Sequence, residues 1–176
     1  SPSPSPNPMP EALALALALA LTPSLALPLP LTPPEAAIRA MAAAHDRPIV
    51  FPLSNPTSSC EITPAEAYSW TEGRAIVATG SPFDPVEHGG RTLAPSQCNN
   101  MYIFPGVGLG ASVCAADTVT DSMLYHAAVA LSRMTTETEL RSGRVFPTIT
   151  SIREVSREVA VAVAKHAYEK GLARQH

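Results

Sequence analysis

The sequence predicts an α/β fold in which short buried strands lie parallel to one another and are joined by helices. Two mostly apolar runs, residues 49–51 and 74–78, contain β-branched or aromatic side chains and are too short for buried helices, so we interpret both as strands. A helix is predicted between them, and strands joined through a helix are parallel neighbours in one sheet. A long apolar stripe near the end of the chain predicts a core-facing helix.

Composition divides the chain of 176 residues into two parts. Residues 1–31 consist almost entirely of Ser, Pro, Ala, Leu and Thr and contain one charged residue, Glu11. We interpret them as a disordered, low-complexity leader and residues 32–176 as the folded part. The alternative is a membrane-surface anchor at residues 12–31, although the absence of basic residues counts against it. The unbroken Ala and Leu run is too short for a transmembrane segment.

Charge and cysteine content argue against a nucleic-acid-binding protein and against a secreted one. The net charge is −3, and the Lys and Arg residues form no basic stripe along the sequence. We therefore expect no nucleic-acid partner. Cys60, Cys98 and Cys114 are odd in number and lack metal-ligand spacing, which favours free thiols in a reducing compartment. We therefore expect a soluble, intracellular protein of the cytosol or an organelle (plastid or mitochondrion), and not a secreted one.

A Thr-x-x-Glu capping box marks the start of each of the first two helices, at Thr32 and at Thr63. The first helix should end near Ala44, and the second should end at Gly73. Each predicted helix leads directly into one of the two predicted strands.

The middle of the chain carries turn signals and glycines. Residues 88–96 form a polar segment with Gly89 and Gly90 at its tip, which predicts a surface hairpin or loop. Gly106, Gly108 and Gly110 then mark the start of a helix. They lack the spacing and the downstream acidic residue of a dinucleotide fingerprint, so we interpret them as sites of close helix packing.

Two further helices complete the predicted fold. Thr120 should cap one that ends near Met134, and Ser151 with Glu154 should cap one that ends near Gly171. Apolar residues recur every three or four positions on the last helix, at Ile152, Val155, Val159, Val163 and Ala167. The histidines at positions 45, 88, 126 and 166 are predicted to lie on helix or loop surfaces.

The candidate site residues are amides, one of which follows a predicted strand. Asn55 follows the first strand, and ligands bind at the carboxyl ends of strands in an open α/β sheet. One amide, with two donors and one acceptor, can bridge a carboxylate and a carboxamide. Alternatively, Asn55 is a turn residue bonded to its own backbone. Gln97, Asn99 and Asn100 form a second cluster of amides.

Four strings of residues carry a family resemblance. They are FPLSNPTS at 51–58, TEGRAIVATGSPFDPV at 71–86, NNMYIFPGVGLG at 99–110 and IREVS at 152–156. In order and spacing they resemble the carboxyl-terminal part of the malic enzymes. The resemblance implies the back half of a doubly wound, Rossmann-like NAD-binding domain with carboxyl-terminal helices.

The resemblance also implies a reaction and two binding residues. The reaction is oxidative decarboxylation of malate to pyruvate and CO2, with NAD or NADP as the hydride acceptor and Mg²⁺ or Mn²⁺ assisting. Asn55 is implied to contact both substrate and nicotinamide, and Asn100 to bind a malate carboxylate. A full-length enzyme of this kind is expected to be a homo-oligomer.

No catalytic residue and no metal ligand is predicted within this chain. By resemblance, the catalytic tyrosine and lysine, the arginine clamp, the acidic metal ligands and the dinucleotide loop belong upstream of the matched region. We therefore expect the chain alone to be inactive. The alternative function is a non-catalytic interaction protein that retains half of the fold and pairs its exposed sheet edge with a partner.

Overall fold

The computed structural model describes residues 34–174, which form two compact units. In the described part, the sheet unit comprises residues 34–99 and 135–147, and the helical unit comprises residues 100–134 and 148–174. The predicted leader, residues 1–31, and the predicted cap Thr32 lie outside the described residues.

Three parallel strands form the sheet of the sheet unit. These are β1 (Ile49–Val50), β2 (Ile76–Thr79) and β5 (Ser96–Gln97), and they lie in the order β1-β2-β5. The first residues of β1 and β2 are register partners. The predicted parallel pairing of the first two strands is therefore confirmed, although β2 begins two residues later than the sequence pattern indicates.

Two helices, α1 (Pro34–Ala44) and α2 (Pro64–Trp70), pack against each other in the sheet unit. The predicted capping box of α2 is confirmed, because Glu66 N donates to Thr63 Oγ1 at 3.3 Å and Thr63 N donates to Glu66 Oε2 at 2.7 Å. Both helices contribute to one apolar core with the strands, and its members are Ile38, Val50, Ile62, Ala67, Tyr68, Ala75, Val77 and Leu93.

The polar segment between β2 and β5 is the predicted hairpin. Its strands, β3 (Val86–His88) and β4 (Arg91–Leu93), pair in antiparallel fashion. Gly89 and Gly90 form the turn with φ values of 57° and 73°, which side chains with a Cβ rarely adopt.

The sequence pattern does not predict β5 or the short helix α5 (Glu137–Arg141). β5 is two polar residues long, so it lacks any apolar alternation. Tertiary contacts determine its position, because Ser96 is buried beside β2 and its hydroxyl accepts a hydrogen bond from Val145 N at 2.8 Å. α5 has a complete capping box between Thr136 and Glu139, a signal that is present in the sequence.

Three longer helices make up most of the helical unit: α3 (Phe104–Val113), α4 (Asp121–Arg133) and α6 (Ile152–Glu169). α6 packs against both α3 and α4. Four of the five predicted stripe residues of α6 are fully buried, and Ile152 is half-buried, so the core-facing stripe is confirmed. Among residues 34–174, no helix combines the length and the apolar character needed to cross a membrane.

Thr120 caps α4 as predicted, but Ser151 does not cap α6. The Thr120 hydroxyl accepts a hydrogen bond from Met123 N at 3.3 Å. Ser151 makes no capping bond, because it lies in the 3-10 helix Ile149–Ser151 and its φ and ψ of −88° and 6° differ from the extended backbone of a capping residue.

Two of the three glycines in α3 allow close packing against α6. A Cβ on Gly106 would lie 2.6 Å from Val159 Cβ, and a Cβ on Gly110 would lie 2.7 Å from Ala160 O. Gly108 is exposed and has no such neighbour within 4 Å. The predicted packing role is therefore confirmed for Gly106 and Gly110 and wrong for Gly108.

The predicted surface position is wrong for His166, because this residue lies on the buried face of α6. His166 is 4% exposed, and its ring stacks on His126 with centroids 4.0 Å apart. Its Nε2 lies 2.9 Å from Ser122 Oγ. Burial chiefly lowers the pKa of His166, and the positive charges of His126 and Lys170 lower it further, while Glu169 opposes them.

Substituting alanine for Gly106 and for Gly108 should change the free energy of unfolding in opposite directions. At Gly106 the new methyl group overlaps Val159 and should cost about 1–3 kcal/mol. At Gly108 the space is open, so the higher helix propensity of alanine should stabilise the chain by about 1 kcal/mol. Urea denaturation measures both values, and a Gly106→Ala variant as stable as the parent would contradict the close packing.

Burial of His166 should make the stability depend on pH. Folding lowers the pKa of His166 below its ordinary value of 6.5. As the pH falls through that value, His166 is therefore protonated in the unfolded chain while it stays neutral in the folded chain. The free energy of unfolding should therefore fall between about pH 7.5 and 5.5. Thermal melts should show a smaller fall in His166→Gln than in the control His45→Gln, whose native side chain is exposed. Equal pH dependence in the two variants would refute the effect.

Candidate functional site

Polar side chains gather at the carboxyl ends of the three parallel strands. Asn55 follows β1, Ser81 follows β2 and Gln97 ends β5. Because parallel strands end at the same edge of a sheet, residues distant in the chain meet there. We name Asn55, Gly80, Ser81 and Gln97 the polar edge cluster.

Asn55 is exposed, and its amide is held by one firm hydrogen bond. The Ser81 hydroxyl donates to Asn55 Oδ1 at 2.6 Å, whereas Asn55 Nδ2 lies 3.5 Å from Leu53 O. Asn55 therefore makes both the local backbone bond expected of a turn residue, to Leu53 O, and a shorter bond to Ser81 after the neighbouring strand. The peptide bond between Asn55 and Pro56 is cis. The amide oxygen is thus engaged, and the amide nitrogen, which donates one long hydrogen bond to Leu53 O, keeps a second hydrogen for an incoming acceptor.

Gly80 allows the turn after β2 to approach the end of β1. Gly80 N donates to Pro52 O at 3.0 Å, which extends the pairing of the two strands. A Cβ on Gly80 would overlap Leu53 O, so no larger residue fits without a shift of the backbone. This close approach is what brings Ser81 within reach of Asn55.

Thr79 connects the ends of β2 and β5 beneath the cluster. Its side chain is fully buried, and its hydroxyl lies 2.8 Å from Ser81 O and 3.3 Å from Ser96 O. Gln97 Nε2 also donates to Gly80 O at 3.3 Å. The polar edge cluster is therefore supported by hydrogen bonds from two neighbouring strands.

Asn100 belongs to the helical unit, whereas the polar edge cluster belongs to the sheet unit. It begins the 3-10 helix Asn100–Tyr102, its side chain is exposed, and its carbonyl accepts a hydrogen bond from Ile103 N at 3.0 Å. Tyr102 and Ile103 are buried and anchor this turn. The structure thus joins Asn55 to Ser81, while Asn55 and Asn100 lie in different units.

The buried Tyr68 and the half-buried Cys98 of the sheet unit both remain neutral near pH 7. Burial raises the pKa of the Cys98 thiol to about 11 and the pKa of Tyr68 to about 12. Among the described residues, the Tyr68 hydroxyl has no hydrogen-bond partner. Neither group can serve as a general base at neutral pH.

No cluster of metal ligands is found in the part of the chain that the structure describes, since no three His, Cys, Asp or Glu side chains there could hold a metal ion. Asp84, the carboxylate nearest in sequence to the turn after β2, is exposed. The side chains of the polar edge cluster itself supply hydrogen-bond donors and acceptors.

The sequence pattern does not single out Ser81, and it places Gln97 in a cluster of amides without assigning it a binding role. In the sequence, Ser81 is one of several small residues in a predicted turn. Gln97 lies in a predicted loop, because the sequence pattern does not predict β5. The signal that could identify them is position, since each stands at the end of a strand as Asn55 does.

Residues 32–168 match a family model described as malic enzyme, NAD binding domain. The NADP-dependent malic enzyme of Dictyostelium discoideum is 50% identical over 140 residues, which cover 80% of this chain and 26% of the relative. The NAD-dependent malic enzyme of Shewanella denitrificans is 50% identical over 139 residues, which cover 79% of this chain and 25% of the relative. The chain thus spans about a quarter of the length of these relatives.

Crystal structures of two malic enzymes share the fold. The enzyme from Pyrococcus horikoshii aligns with a TM-score of 0.62 and 32% identity, covering 81% of this chain and 28% of that chain. The enzyme from Entamoeba histolytica aligns with a TM-score of 0.65 and 30% identity, covering 87% of this chain and 28% of that chain. The predicted α/β fold with a parallel sheet is confirmed. Family model, sequence identity and shared fold together show that the chain belongs to the malic enzyme family and represents part of its NAD-binding domain.

Proposed function

We propose that this chain is part of an enzyme that converts malate to pyruvate and CO2 with reduction of NAD or NADP, and that it supplies amides that bind both reactants. The observation that carries the proposal is the exposed Asn55 amide, which Ser81 holds at the carboxyl edge of a parallel sheet. The relatives support either nucleotide, since one is named NADP-dependent and another NAD-dependent.

Asn55 is suited to orient two ligands at once. Its amide nitrogen carries two hydrogens, and once the long bond to Leu53 O at 3.5 Å is released, they can donate to a malate carboxylate and to the carboxamide oxygen of nicotinamide. Ser81 and Gly80 fix the direction of this donor without adding a charge. A bound nicotinamide would accept the hydride from malate. Asn55 would orient the two reactants and keep them close to each other for that transfer.

Asn100 is proposed to bind a malate carboxylate. Its exposed side chain stands at the start of a short helical turn that Tyr102 and Ile103 anchor in the core of the helical unit. A hydrogen bond from an amide to a carboxylate is charge-assisted, so it binds substrate strongly without requiring a titratable residue. An amide also keeps the same protonation state across the physiological pH range.

The described part of this chain does not fit the metal that the family implies. The structure brings no three acidic, histidine or cysteine side chains together within residues 34–174. We assign Mg²⁺ or Mn²⁺ binding, and the acid and base that move protons, to the remainder of a full-length enzyme. The matched relatives are about four times as long as the aligned segment, so they include ample chain for these residues.

We place the complete enzyme in the cytosol or an organelle, as a homo-oligomer that acts on malate and pyruvate. Cys60, Cys98 and Cys114 are free thiols, which supports a reducing compartment. One matched relative, from Zea mays, is named chloroplastic.

The chain of 176 residues should show no malate-dependent reduction of NAD or NADP, with Mg²⁺ or with Mn²⁺. Loss of the base and of the metal ligands should lower the rate by roughly four orders of magnitude or more. Absorbance of the reduced nucleotide at saturating malate measures this, with an intact malic enzyme as the positive control. Turnover at an ordinary dehydrogenase rate would show that residues of this chain supply the base and bind the metal.

In a complete enzyme that contains this segment, Asn100→Ala should raise the KM for malate and leave the KM for the nucleotide nearly unchanged. The lost amide–carboxylate bond contributes about 1.5–3 kcal/mol, or roughly a tenfold to hundredfold change. Asn55→Ala should raise both constants. Steady-state kinetics with each substrate varied in turn measures these effects.

The isosteric Asn100→Asp variant is the matched control for this prediction. If Asn100 faces a malate carboxylate, the added negative charge should raise the KM for malate further than Asn100→Ala does. Equal effects of Asn100→Ala on malate and on nucleotide would instead identify a structural asparagine.

A further inference from the structure

Gln97 is the second amide of the polar edge cluster, and the proposed function does not yet use it. Gln97 ends β5, and its register partner is Thr79 at the end of β2. Because β2 lies between β1 and β5, Asn55 and Gln97 approach the end of the central strand from its two sides. The Gln97 side chain is half-buried, so part of it is open to a ligand.

The orientation of the Gln97 amide follows from its bond to Gly80. Gln97 Nε2 donates to Gly80 O at 3.3 Å. A carbonyl oxygen accepts and never donates, so the amide turns its nitrogen towards Gly80 and leaves its oxygen, Oε1, as the other end. Within residues 34–174, Gln97 Oε1 accepts no hydrogen bond. Gln97 thus offers an unused acceptor.

The Asn55 amide is oriented in the opposite sense. Asn55 Nδ2 lies 3.5 Å from Leu53 O, which can only accept, so the nitrogen faces Leu53. The oxygen is left to accept the hydrogen bond from the Ser81 hydroxyl at 2.6 Å. The end of Asn55 with remaining capacity is therefore the nitrogen, which keeps a second hydrogen. Asn55 supplies a donor where Gln97 supplies an acceptor.

Both amides contact Gly80, which directly follows β2. A Cβ on Gly80 would lie 3.1 Å from Asn55 Nδ2, and Gly80 O accepts the bond from Gln97 Nε2. The donor and the acceptor therefore border the same residue. Because a single residue separates them, one small planar group can contact both.

A donor beside an acceptor is complementary to a primary carboxamide. Such a group carries one oxygen that accepts and an NH2 group that donates. A carboxylate carries acceptors only, so the Gln97 oxygen would repel it. A ketone would satisfy the Asn55 donor and leave the Gln97 oxygen without a partner. Among the reactants of the proposed function, malate has carboxylates, and nicotinamide has the carboxamide.

We propose that Gln97 binds the nicotinamide ring, accepting a hydrogen bond from the NH2 of its carboxamide beside the Asn55 donor. This inference rests on the proposed function and adds to it a residue that distinguishes the nucleotide from malate. The bond to Gly80 O orients the acceptor before the nucleotide binds, which lowers the entropic cost of forming the contact.

Two nucleotides that differ only in this group test the proposal in a complete enzyme that contains this segment. NAD or NADP, whichever the enzyme uses, carries the carboxamide. The corresponding acetylpyridine analogue keeps the carbonyl oxygen and replaces the NH2 with a methyl group. The parent should bind the natural nucleotide about threefold to tenfold more tightly than the analogue, which is the contribution of one hydrogen bond. Isothermal titration calorimetry measures both dissociation constants.

Gln97→Met keeps the length of the side chain and removes the acceptor. It should weaken binding of the natural nucleotide alone, so that the two dissociation constants become nearly equal. Gln97→Leu makes the same test if Gln97→Met fails to fold. Asn55→Ala is the matched control, because both nucleotides carry the carbonyl oxygen. It should weaken both and leave their ratio unchanged.

Equal affinities of the parent for the two nucleotides would overturn the proposal, as would a preference that persists in the Gln97 variants. Equal weakening of both nucleotides in those variants would identify a structural glutamine and would also overturn it. The proposed function fails in a different way. Asn55→Ala that binds both nucleotides as tightly as the parent would refute the role of Asn55, whereas the preference of the parent and its loss report on Gln97. A complete enzyme that binds neither nucleotide would refute both.

Discussion

The parallel pairing of β1 with β2 is the constraint on which the sheet unit depends. The register of Ile49 with Ile76 turns Val50 and Val77 towards one core, and it makes the loops after both strands leave the sheet at the same edge. Gly80 N then bonds to Pro52 O, and Ser81 reaches the Asn55 amide. One set of backbone hydrogen bonds therefore supports both the apolar core and the candidate site.

Glycine residues lie at the closest backbone contacts in both units, because any larger residue would overlap its neighbour there. In the sheet unit, Gly80 allows the turn after β2 to touch the loop after β1. In the helical unit, Gly106 and Gly110 allow α3 to lie against the valine side chains of α6. Close-packed backbones gain dispersion energy over many atoms, and a methyl group at either kind of contact would separate them. Helix packing thus explains Gly106 and Gly110 in the glycine-rich string of α3, but not Gly108.

The candidate site consists of hydrogen-bonding side chains that do not titrate. Asn55, Ser81 and Gln97 carry no charge near neutral pH. Burial keeps Cys98 and Tyr68 protonated, and it favours the neutral form of His166. Such a surface can orient substrates, and orientation alone contributes substantially to rate when a base and a metal are also present. Under the proposed function, this segment orients the reactants, and the remainder of a longer enzyme carries out the chemistry.

Apart from the short helix α5, the sequence by itself determined the α-helices and the parallel pair β1 and β2, because their signals are local. The capping box at Thr63, the cap at Thr120 and the spacing of apolar residues on α6 act within a few residues of chain. Only the tertiary structure decided the position of β5, the bond from Ser81 to Asn55, the burial of His166 and the different surroundings of Gly106 and Gly108. Each of these depends on residues far away in the chain, and no local pattern specifies which distant atoms a short polar strand, a serine or a glycine will meet.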